Sequence, residues 1–249
     1  MKLSITKIST YQDCPRKYWY TYNMRILTPK GEGFYFGSAI HEGLEAYYSG
    51  KDPMQGVKNA LFGEKRNISE EAKEGIDLAK LEKEAKRIFS IYPQQAPYLK
   101  PTFIEHIFKV PLAHPETQEE LPVTFVGKMD LITEDGKVVD HKTASVSPGD
   151  FFEARNTLQA NGYSYAYLKM FGKLPSGFVF NTIIKGNSRR EPRFEPKLKK
   201  PTLGDVCQFF DVCKNVLDAL MRDETRNYPN TYHCKWCRFH DICSYDGRR

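Results

Sequence analysis

Residues 127–142 read GKMDLITEDGKVVDHK, two short apolar strands joined by a turn. The turn contains an Asp-Gly pair, which favours the tight turn of a β-hairpin. Because side chains alternate along a strand, Asp140 and Lys142 share one face of the second strand. If the two strands pair, Asp130 lies across from them. We therefore predict that two carboxylates and a lysine converge at one end of this hairpin.

The carboxylates of Asp130 and Asp140 suit Mg²⁺ or Mn²⁺, which prefer oxygen ligands. A bound divalent ion can activate a water molecule and neutralise charge that develops on a phosphate. The amine of Lys142 can orient or deprotonate that water and offset the phosphate charge. The alternative is an exposed hairpin with ordinary solvated charges, because an Asp-x-Lys pattern is short.

Three more side chains extend this candidate site. His41 lies on a predicted helix at Gly37–Tyr48. Imidazole is a common Mn²⁺ ligand, although a lone histidine is often a hydrogen-bonded core residue. Gln159 and Tyr163 are four residues apart on a predicted helix at Gly149–Met170, so they share one face. They either orient the lysine, the metal-bound water or a phosphate, or are ordinary polar residues of the helix surface.

The remaining pattern alternates helices and strands. Runs of β-branched and aromatic residues predict the strands, which are 103–110, 123–132, 137–142 and 177–184. Apolar residues at helical spacing predict amphipathic helices around 81–92 and 203–222. Pro93 is expected to break the first of these helices. The order of elements predicts an α/β or α+β architecture in which helices pack on a sheet.

Two segments are candidate nucleic-acid contacts. Residues 185–200 hold seven Lys or Arg residues and two Glu residues. This basic arm is either an element that follows the phosphate backbone of DNA or a solvated surface loop. The tyrosine-rich segment from Tyr11 to Tyr22 can stack on unpaired bases, or it can form a scaffold around Cys14.

Composition excludes several classes of protein. The 249 residues are 40% hydrophobic and 13% aromatic, which excludes a disordered chain and supports a substantial core. No apolar run approaches the roughly 20 residues that span a bilayer. The first residues lack the apolar stretch of a secretory signal, so we expect a cytoplasmic protein without membrane contact. The net charge of +6 permits a polyanionic partner.

Four of the six cysteines lie near the chain ends, one at Cys14 and three in the C-terminal tail. The three in the tail are Cys234, Cys237 and Cys243. In a reducing cytosol, three closely spaced thiols favour a metal site over disulfides. Spacing alone leaves His233 or His240 open as a fourth ligand, and it leaves both zinc and an iron–sulfur cluster open. Cys207 and Cys213, on the last predicted helix, are expected to be buried packing residues.

The chain resembles the PD-(D/E)XK nuclease superfamily, and within it the RecB-like branch that includes the Cas4-like iron–sulfur exonucleases. The resemblance rests on six short motifs that occur in the order of the family and extend over nearly the whole chain. They are residues 9–18 around Cys14, residues 37–41, 127–130, 140–142 and 159–163, and the three-cysteine tail.

The resemblance implies a restriction-endonuclease-like core with a central mixed β-sheet flanked by helices. It assigns residues 1–100 to an N-terminal helical region that contributes Cys14 and His41. Residues 101–200 are then the nuclease core, and residues 201–249 a C-terminal helix with an iron–sulfur segment. All three parts are expected to form one intertwined globular unit.

The resemblance also implies a site and its cofactors. Cys14 and the three tail cysteines are expected to bind a structural [4Fe–4S] cluster, which requires the two chain ends to meet. The expected catalytic residues are Asp130, Asp140, Lys142, Gln159 and Tyr163. The expected ligands of Mg²⁺ or Mn²⁺ are His41, Asp130, Asp140 and the backbone carbonyl of His141. Asp140 stands where Glu is more usual in this branch, and Glu105, on the preceding predicted strand, belongs to no motif.

The implied activity is metal-dependent hydrolysis of DNA phosphodiesters, as an exonuclease on single-stranded DNA ends, with duplex ends as the other possible substrate. The expected partners are DNA and proteins of a recombination, repair or CRISPR adaptation system, and the oligomeric state stays open. Two alternatives are a non-catalytic DNA-binding or assembly subunit with the same fold and an interaction module stapled by zinc.

Overall fold

The computed structural model describes residues 1–63, 75–96, 99–149, 152–187, 189–226 and 234–243, without the side chains of 153–155. The chain divides into two compact units. The terminal unit comprises residues 1–28, 109–127 and 202–249, and the central unit comprises residues 29–108 and 128–201. The division of the chain at residues 100 and 200 stays a prediction.

The helices and strands follow one another as a mixed α and β chain. The strands are β1 (Lys2–Leu3), β2 (Pro101–Ala113), β3 (Glu120–Thr133), β4 (Lys137–Ala144), β5 (Gly177–Ile184) and β6 (Arg193–Lys199). The helices are α1 (Ile5–Asp13), α2 (Pro15–Tyr18), α3 (Glu32–Tyr48), α4 (Pro53–Phe62), α5 (Leu78–Gln95), α6 (Phe152–Phe171) and α7 (Leu203–Met221). A π-helical turn at Trp19–Asn23 and 3₁₀ turns at Glu224–Arg226 and His240–Ile242 complete the described elements.

The sheet of the central unit is mixed. Strand β3 pairs with β4 in antiparallel fashion, β4 pairs with β5 in parallel, and β5 pairs with β6 in antiparallel fashion. Strand β2 also pairs with β3. The parallel pair is connected through α6, as a crossover between parallel strands requires. All eight residues of β5 are buried, which is typical of a strand covered on both faces.

Helices α3, α4 and α5 form the main apolar core of the central unit. Helix α5 buries the stripe that its sequence predicts, at Leu81, Ala85, Ile88, Phe89 and Tyr92. These side chains cluster with apolar residues of α3 and α4 and with Ile183 of β5. The core therefore holds α3, which carries His41, against the sheet that carries the two aspartates.

The terminal unit joins the two ends of the chain. Strand β1 pairs in parallel with the first half of β3, with Leu3 opposite Phe125. Helix α7 begins at a capping box made by Thr202 and Asp205 and contacts α1. The ring centroids of Phe125 and Phe209 lie 4.8 Å apart in its core.

The expected hairpin, the four strands and the amphipathic helices are confirmed, with three differences. Helix α5 continues through Pro93 to Gln95, because a proline so close to the end removes little of the helical hydrogen bonding. The predicted basic arm contains β6, whose position at the end of the strand order tolerates Pro196 and its lysines. Strand β1 and helices α1, α2 and α4 were not predicted. No described helix is both long and apolar enough to cross a membrane.

Candidate active site

The β3–β4 hairpin brings the two aspartates together. The register pairs Leu131 with Val139, which places Asp130 opposite Asp140. Both carboxyl groups are buried. The backbone N–H of His141 donates to Oδ2 of Asp130 at 2.7 Å, so the second strand fixes the orientation of the first carboxylate.

A closed network holds Asp140, Lys142 and Gln159 in contact. Lys142 Nζ lies 2.8 Å from Asp140 Oδ2 and donates to Gln159 Oε1 at 2.6 Å. Gln159 Nε2 donates to Asp140 Oδ1 at 2.6 Å. Helix α6 thus supplies an amide that bridges the acid and the lysine of the Asp-x-Lys motif.

His41 reaches the same centre from α3. Its Nδ1 lies 3.4 Å from Oδ1 of Asp130. One ligand atom each from His41, Asp130 and Glu105 of β2 all lie within 4.8 Å of one another. Glu105 also forms an ion pair with Lys128, the residue two positions before Asp130.

The two aspartates differ in their electrostatics. Burial raises the pKa of Asp130, but its hydrogen bond with His41, the nearby histidines and the His141 N–H outweigh burial and lower this pKa to about 2. Burial raises the pKa of Asp140 to about 6, aided by the charge of Asp130 and only partly offset by Lys142. The pair therefore holds an ionised carboxylate beside one that binds a proton easily.

His141 is buried behind the site among polar and aromatic side chains. Burial lowers the pKa of its ring to about 4, so the imidazole is neutral near pH 7. Its Nδ1 lies 3.0 Å from the Asn181 amide nitrogen, which is 3.3 Å from the hydroxyl of Tyr92. The ring of Tyr48 stacks on His141 at 5.9 Å, and the Tyr48 and Tyr92 hydroxyls are 2.9 Å apart. This chain of contacts anchors β4 behind the site.

Of the five expected catalytic residues, Tyr163 has the least support for a direct role in catalysis. Burial raises the pKa of its phenol, as do the charges of Asp140 and Asp130, while a hydrogen bond with Gln159 lowers it. Its ring packs against Phe108 at 5.7 Å. Tyr163 therefore stays protonated at neutral pH, and its hydroxyl forms a hydrogen bond with Gln159.

A cleft of about 460 Å³ opens beside His41. Its polar lining includes Glu42, Glu45 and Glu105, together with Lys128. Carboxylates in this number repel a phosphodiester and attract cations. A phosphate can therefore approach this cleft only when positive charge offsets the acids.

The donor set fits a divalent ion. It combines carboxylates, an imidazole and a backbone carbonyl, the ligand types that Mg²⁺ and Mn²⁺ accept. Within the described residues, Asp140 Oδ2 accepts no hydrogen bond of good geometry, although Lys142 Nζ lies 2.8 Å away. A buried carboxylate oxygen without a well-aligned donor is the kind of atom that a metal can bind.

The four cysteines at the chain ends lie in the terminal unit and are half-buried. The Tyr20 hydroxyl donates to the carbonyl of Ile242 at 3.0 Å, and the Tyr20 and Phe239 rings are 5.3 Å apart. The two ends of the chain therefore meet, but among the described residues no three of these cysteines have their thiols within 4.8 Å of one another. Soft thiolates in this number fit an iron–sulfur cluster or zinc.

The other predicted cysteine positions have mixed outcomes. Cys213 is buried, and burial raises the pKa of its thiol, in agreement with a packing role. The prediction for Cys207 was wrong, because its thiol is only half-buried and lies 3.7 Å from a Glu116 carboxylate oxygen. His233 lies outside the described residues, and the exposed His240 contacts Asp241.

Two polar residues of the central unit escaped the sequence prediction. Glu105 belongs to no motif. A single acid within an apolar and aromatic run nevertheless indicates a candidate functional residue. Asn181 is fully buried in β5, and an amide inside an otherwise apolar strand is a similar signal. Both side chains contact residues of the predicted site.

Comparison with known proteins identifies the family. A family model described as the PD-(D/E)XK nuclease superfamily matches residues 2–244. A Eubacterium rectale protein that is provisionally named an exonuclease shares the fold, with a TM-score of 0.65, 15% identity, and coverage of 98% of this chain and 88% of that one. The structure of SSO0001 aligns with a TM-score of 0.45 and 10% identity over 98% of this chain and 86% of that one, a likeness too low to carry an argument. The comparison with curated proteins finds no match. The chain belongs to the PD-(D/E)XK nuclease superfamily, and its mixed sheet flanked by helices is the expected fold.

Proposed function

We propose that this protein is a deoxyribonuclease that depends on Mg²⁺ or Mn²⁺ and hydrolyses phosphodiester bonds. The observation that carries the proposal is the closed contact of Asp140, Lys142 and Gln159 beside Asp130. Surface charges do not ordinarily form such a network around two buried acids. Membership in a nuclease superfamily supports the same reaction class.

The proposed metal ligands are His41, Asp130, Asp140 and the backbone carbonyl of His141. A divalent ion there would supply an activated water and neutralise charge on the phosphate. The His141 N–H orients Asp130, and Gln159 orients Asp140. In the reaction, a water oxygen would bond to phosphorus and release a proton to solvent, the P–O bond to the leaving sugar would break, and the leaving oxygen would take up a proton.

Lys142 is the proposed charge-stabilising residue. Contacts with Asp140 and Gln159 fix the direction of its amine. From this position it can donate a hydrogen bond to the attacking water or to a phosphate oxygen as negative charge develops. Tyr163, through Gln159, is proposed to support this arrangement rather than to react.

We propose DNA as the substrate, with exonuclease action on single-stranded ends. The resemblance to RecB-like exonucleases and the provisional name of the Eubacterium rectale protein support it. The basic arm supports DNA contact only in part. Two of its lysines, Lys185 and Lys199, already bond with Glu84 and Asn161 instead of facing a phosphate freely. A cytoplasmic role in recombination, repair or CRISPR adaptation, with the protein partners of such a system, is part of the same proposal.

We further propose that Cys14, Cys234, Cys237 and Cys243 bind a structural [4Fe–4S] cluster, as in Cas4-like nucleases. The contact of Tyr20 with Ile242 supports it, because it brings the segment that follows Cys14 to the tail. The competing hypothesis is an interaction module in which the same cysteines bind zinc. It rests only on the fact that thiolates also bind zinc. Such a module would be colourless and hold about one zinc per chain.

The central test is a cleavage assay on single-stranded and duplex DNA labelled at either end, with Mg²⁺ or Mn²⁺. Asp140→Ala and Lys142→Ala should each lower the rate at least about a hundredfold, because charge stabilisation at the phosphate is lost. Glu134→Ala, an exposed acid of the same hairpin, should retain the wild-type rate. Wild-type cleavage by Asp140→Ala would refute the site. DNA binding without cleavage under any divalent ion would favour the non-catalytic subunit.

A further inference from the structure

Glu105 breaks the alternation of the strand that carries it. From Ile107 to Leu112, odd-numbered positions of β2 are exposed and even-numbered positions are buried. This parity would place Glu105 on the exposed face with Ile107, which is 77% exposed. The side chain of Glu105 is instead only 13% exposed. Something in the backbone therefore redirects this carboxylate.

The cause is the left-handed backbone of Glu105, which has φ of 51°. For a residue other than glycine this conformation costs about 1–2 kcal/mol. A single left-handed residue in a strand produces a local bulge that re-aims the side chain. Here it brings the Glu105 carboxylate to within 4.8 Å of a ligand atom of His41 and of Asp130.

We propose that Glu105 is an additional direct ligand of the divalent ion, alongside His41 and Asp130. The inference rests on the proposed function in one respect, since it concerns the metal of the same site. Three elements, α3, β2 and β3, each contribute one donor to this set. Two carboxylates and one imidazole are hard and borderline donors that suit Mn²⁺ and Mg²⁺.

Lys128 is the counter-ion of Glu105. Its ammonium pairs with the Glu105 carboxylate, and its side chain is 53% exposed. A half-exposed lysine can leave for solvent at little cost when a dication takes over its carboxylate. Lys128 and the metal therefore compete for Glu105. Removing the Glu105 carboxylate should weaken metal binding, whereas removing the Lys128 ammonium should strengthen it.

The test measures Mn²⁺ affinity by titration calorimetry on the full-length protein. Glu105→Gln should weaken Mn²⁺ binding by about tenfold or more, because it replaces a charged ligand by a neutral one. Lys128→Gln should tighten it severalfold. Glu134→Gln, which alters an exposed acid at the hairpin turn outside this cleft, should leave it within about twofold of wild type.

Two results would overturn the inference. One is wild-type Mn²⁺ affinity in Glu105→Gln, and the other is weaker binding in Lys128→Gln. If Glu105→Gln does not fold, Glu105→Asp replaces it, and this variant should bind Mn²⁺ more weakly than wild type. Equal affinity in folded Glu105→Asp would count against a ligand role.

The same measurements separate this inference from the nuclease proposal. Suppose that the wild-type protein cleaves no DNA and that Glu105→Gln weakens Mn²⁺ binding. The ligand role of Glu105 would then stand, and the proposed nuclease function would be refuted. If DNA cleavage requires Asp140 but Mn²⁺ affinity is unchanged in Glu105→Gln, the nuclease function would stand and the ligand role of Glu105 would be refuted.

Discussion

At the scale of single residues, Asp130 and Asp140 face each other across one strand pair but respond oppositely to pH. Hydrogen bonds and the nearby histidines lower the pKa of Asp130 against the effect of burial, whereas burial dominates for Asp140. A carboxyl group with a lowered pKa stabilises the fold above its unfolded pKa. One with a raised pKa destabilises the fold once pH rises through its folded pKa.

We predict that Asp140→Asn stabilises the metal-free protein at pH 8 by about 1–3 kcal/mol. The pKa of Asp140 rises from 3.8 to about 6 on folding, so wild type loses stability across this pH interval and the variant does not. Urea unfolding at pH 4 and pH 8, with divalent ions chelated, measures the difference.

Asp130→Asn provides the matched comparison and should destabilise the protein at both pH values. It removes the charge that His41 and the His141 N–H stabilise. Added Mn²⁺ should then raise the unfolding temperature of wild type more than that of Asp140→Asn. If Asp140→Asn were less stable than wild type at pH 8, the burial argument for Asp140 would be wrong.

Strand periodicity predicts part of this centre and misses the rest for a clear reason. Asp140 and Lys142 are two positions apart on a regular strand, so their shared face follows from the sequence. Glu105 cannot be placed in this way, because its left-handed backbone inverts the alternation that the prediction uses. Asn181 contacts His141 across the β4–β5 pair, a register that short strands do not reveal.

At the scale of secondary-structure elements, the close approach of α3 and α4 sets the position of His41. A Cβ atom at Gly56 of α4 would lie 2.2 Å from the carbonyl oxygen of Glu42, the residue after His41. Backbone atoms cannot yield at such a distance. The absence of a side chain at Gly56 therefore permits the helix packing that presents His41 to Asp130.

We predict that Gly56→Ala destabilises the protein by about 1–3 kcal/mol, as overpacking does. It should also weaken Mn²⁺ binding, because α3 must shift next to His41. Gly33→Ala is the matched control, since a Cβ there has no neighbour within 4 Å and alanine favours a helix. Thermal unfolding and Mn²⁺ titration of both variants measure the effects. Unchanged stability in Gly56→Ala would contradict the proposed packing constraint.

The unpredicted elements differ in how much signal they carry. Helix α4 has an Asp52 cap, Pro53 at its first position and apolar residues at helical spacing, all of which the sequence displays. Strand β6 alternates charged residues with Phe194 and Leu198, but its basic composition resembles a loop. Strand β1 has two residues, too few for any periodicity.

At the scale of the whole molecule, the terminal unit combines segments from opposite ends of the chain. Tyr20 and Ile242 are 222 positions apart and yet form a hydrogen bond. Local sequence patterns cannot predict such a contact, whereas the ordered set of family motifs, with one cysteine at the start and three at the end, can. Closing so long a loop has an entropic cost, which a shared cluster would offset.

We therefore predict that Cys14→Ser removes the cluster and Cys207→Ser does not. Anaerobically purified wild type should be brown, with about four iron atoms per chain, and Cys14→Ser should lose both its broad visible absorption and most of its iron. Its unfolding temperature should fall, because metal binding contributes to folding. Cys207, half-buried in the same unit, controls for the loss of any one thiol. A colourless wild type with one zinc per chain, or full iron content in Cys14→Ser, would contradict the assignment, since the cluster requires a ligand from each end of the chain.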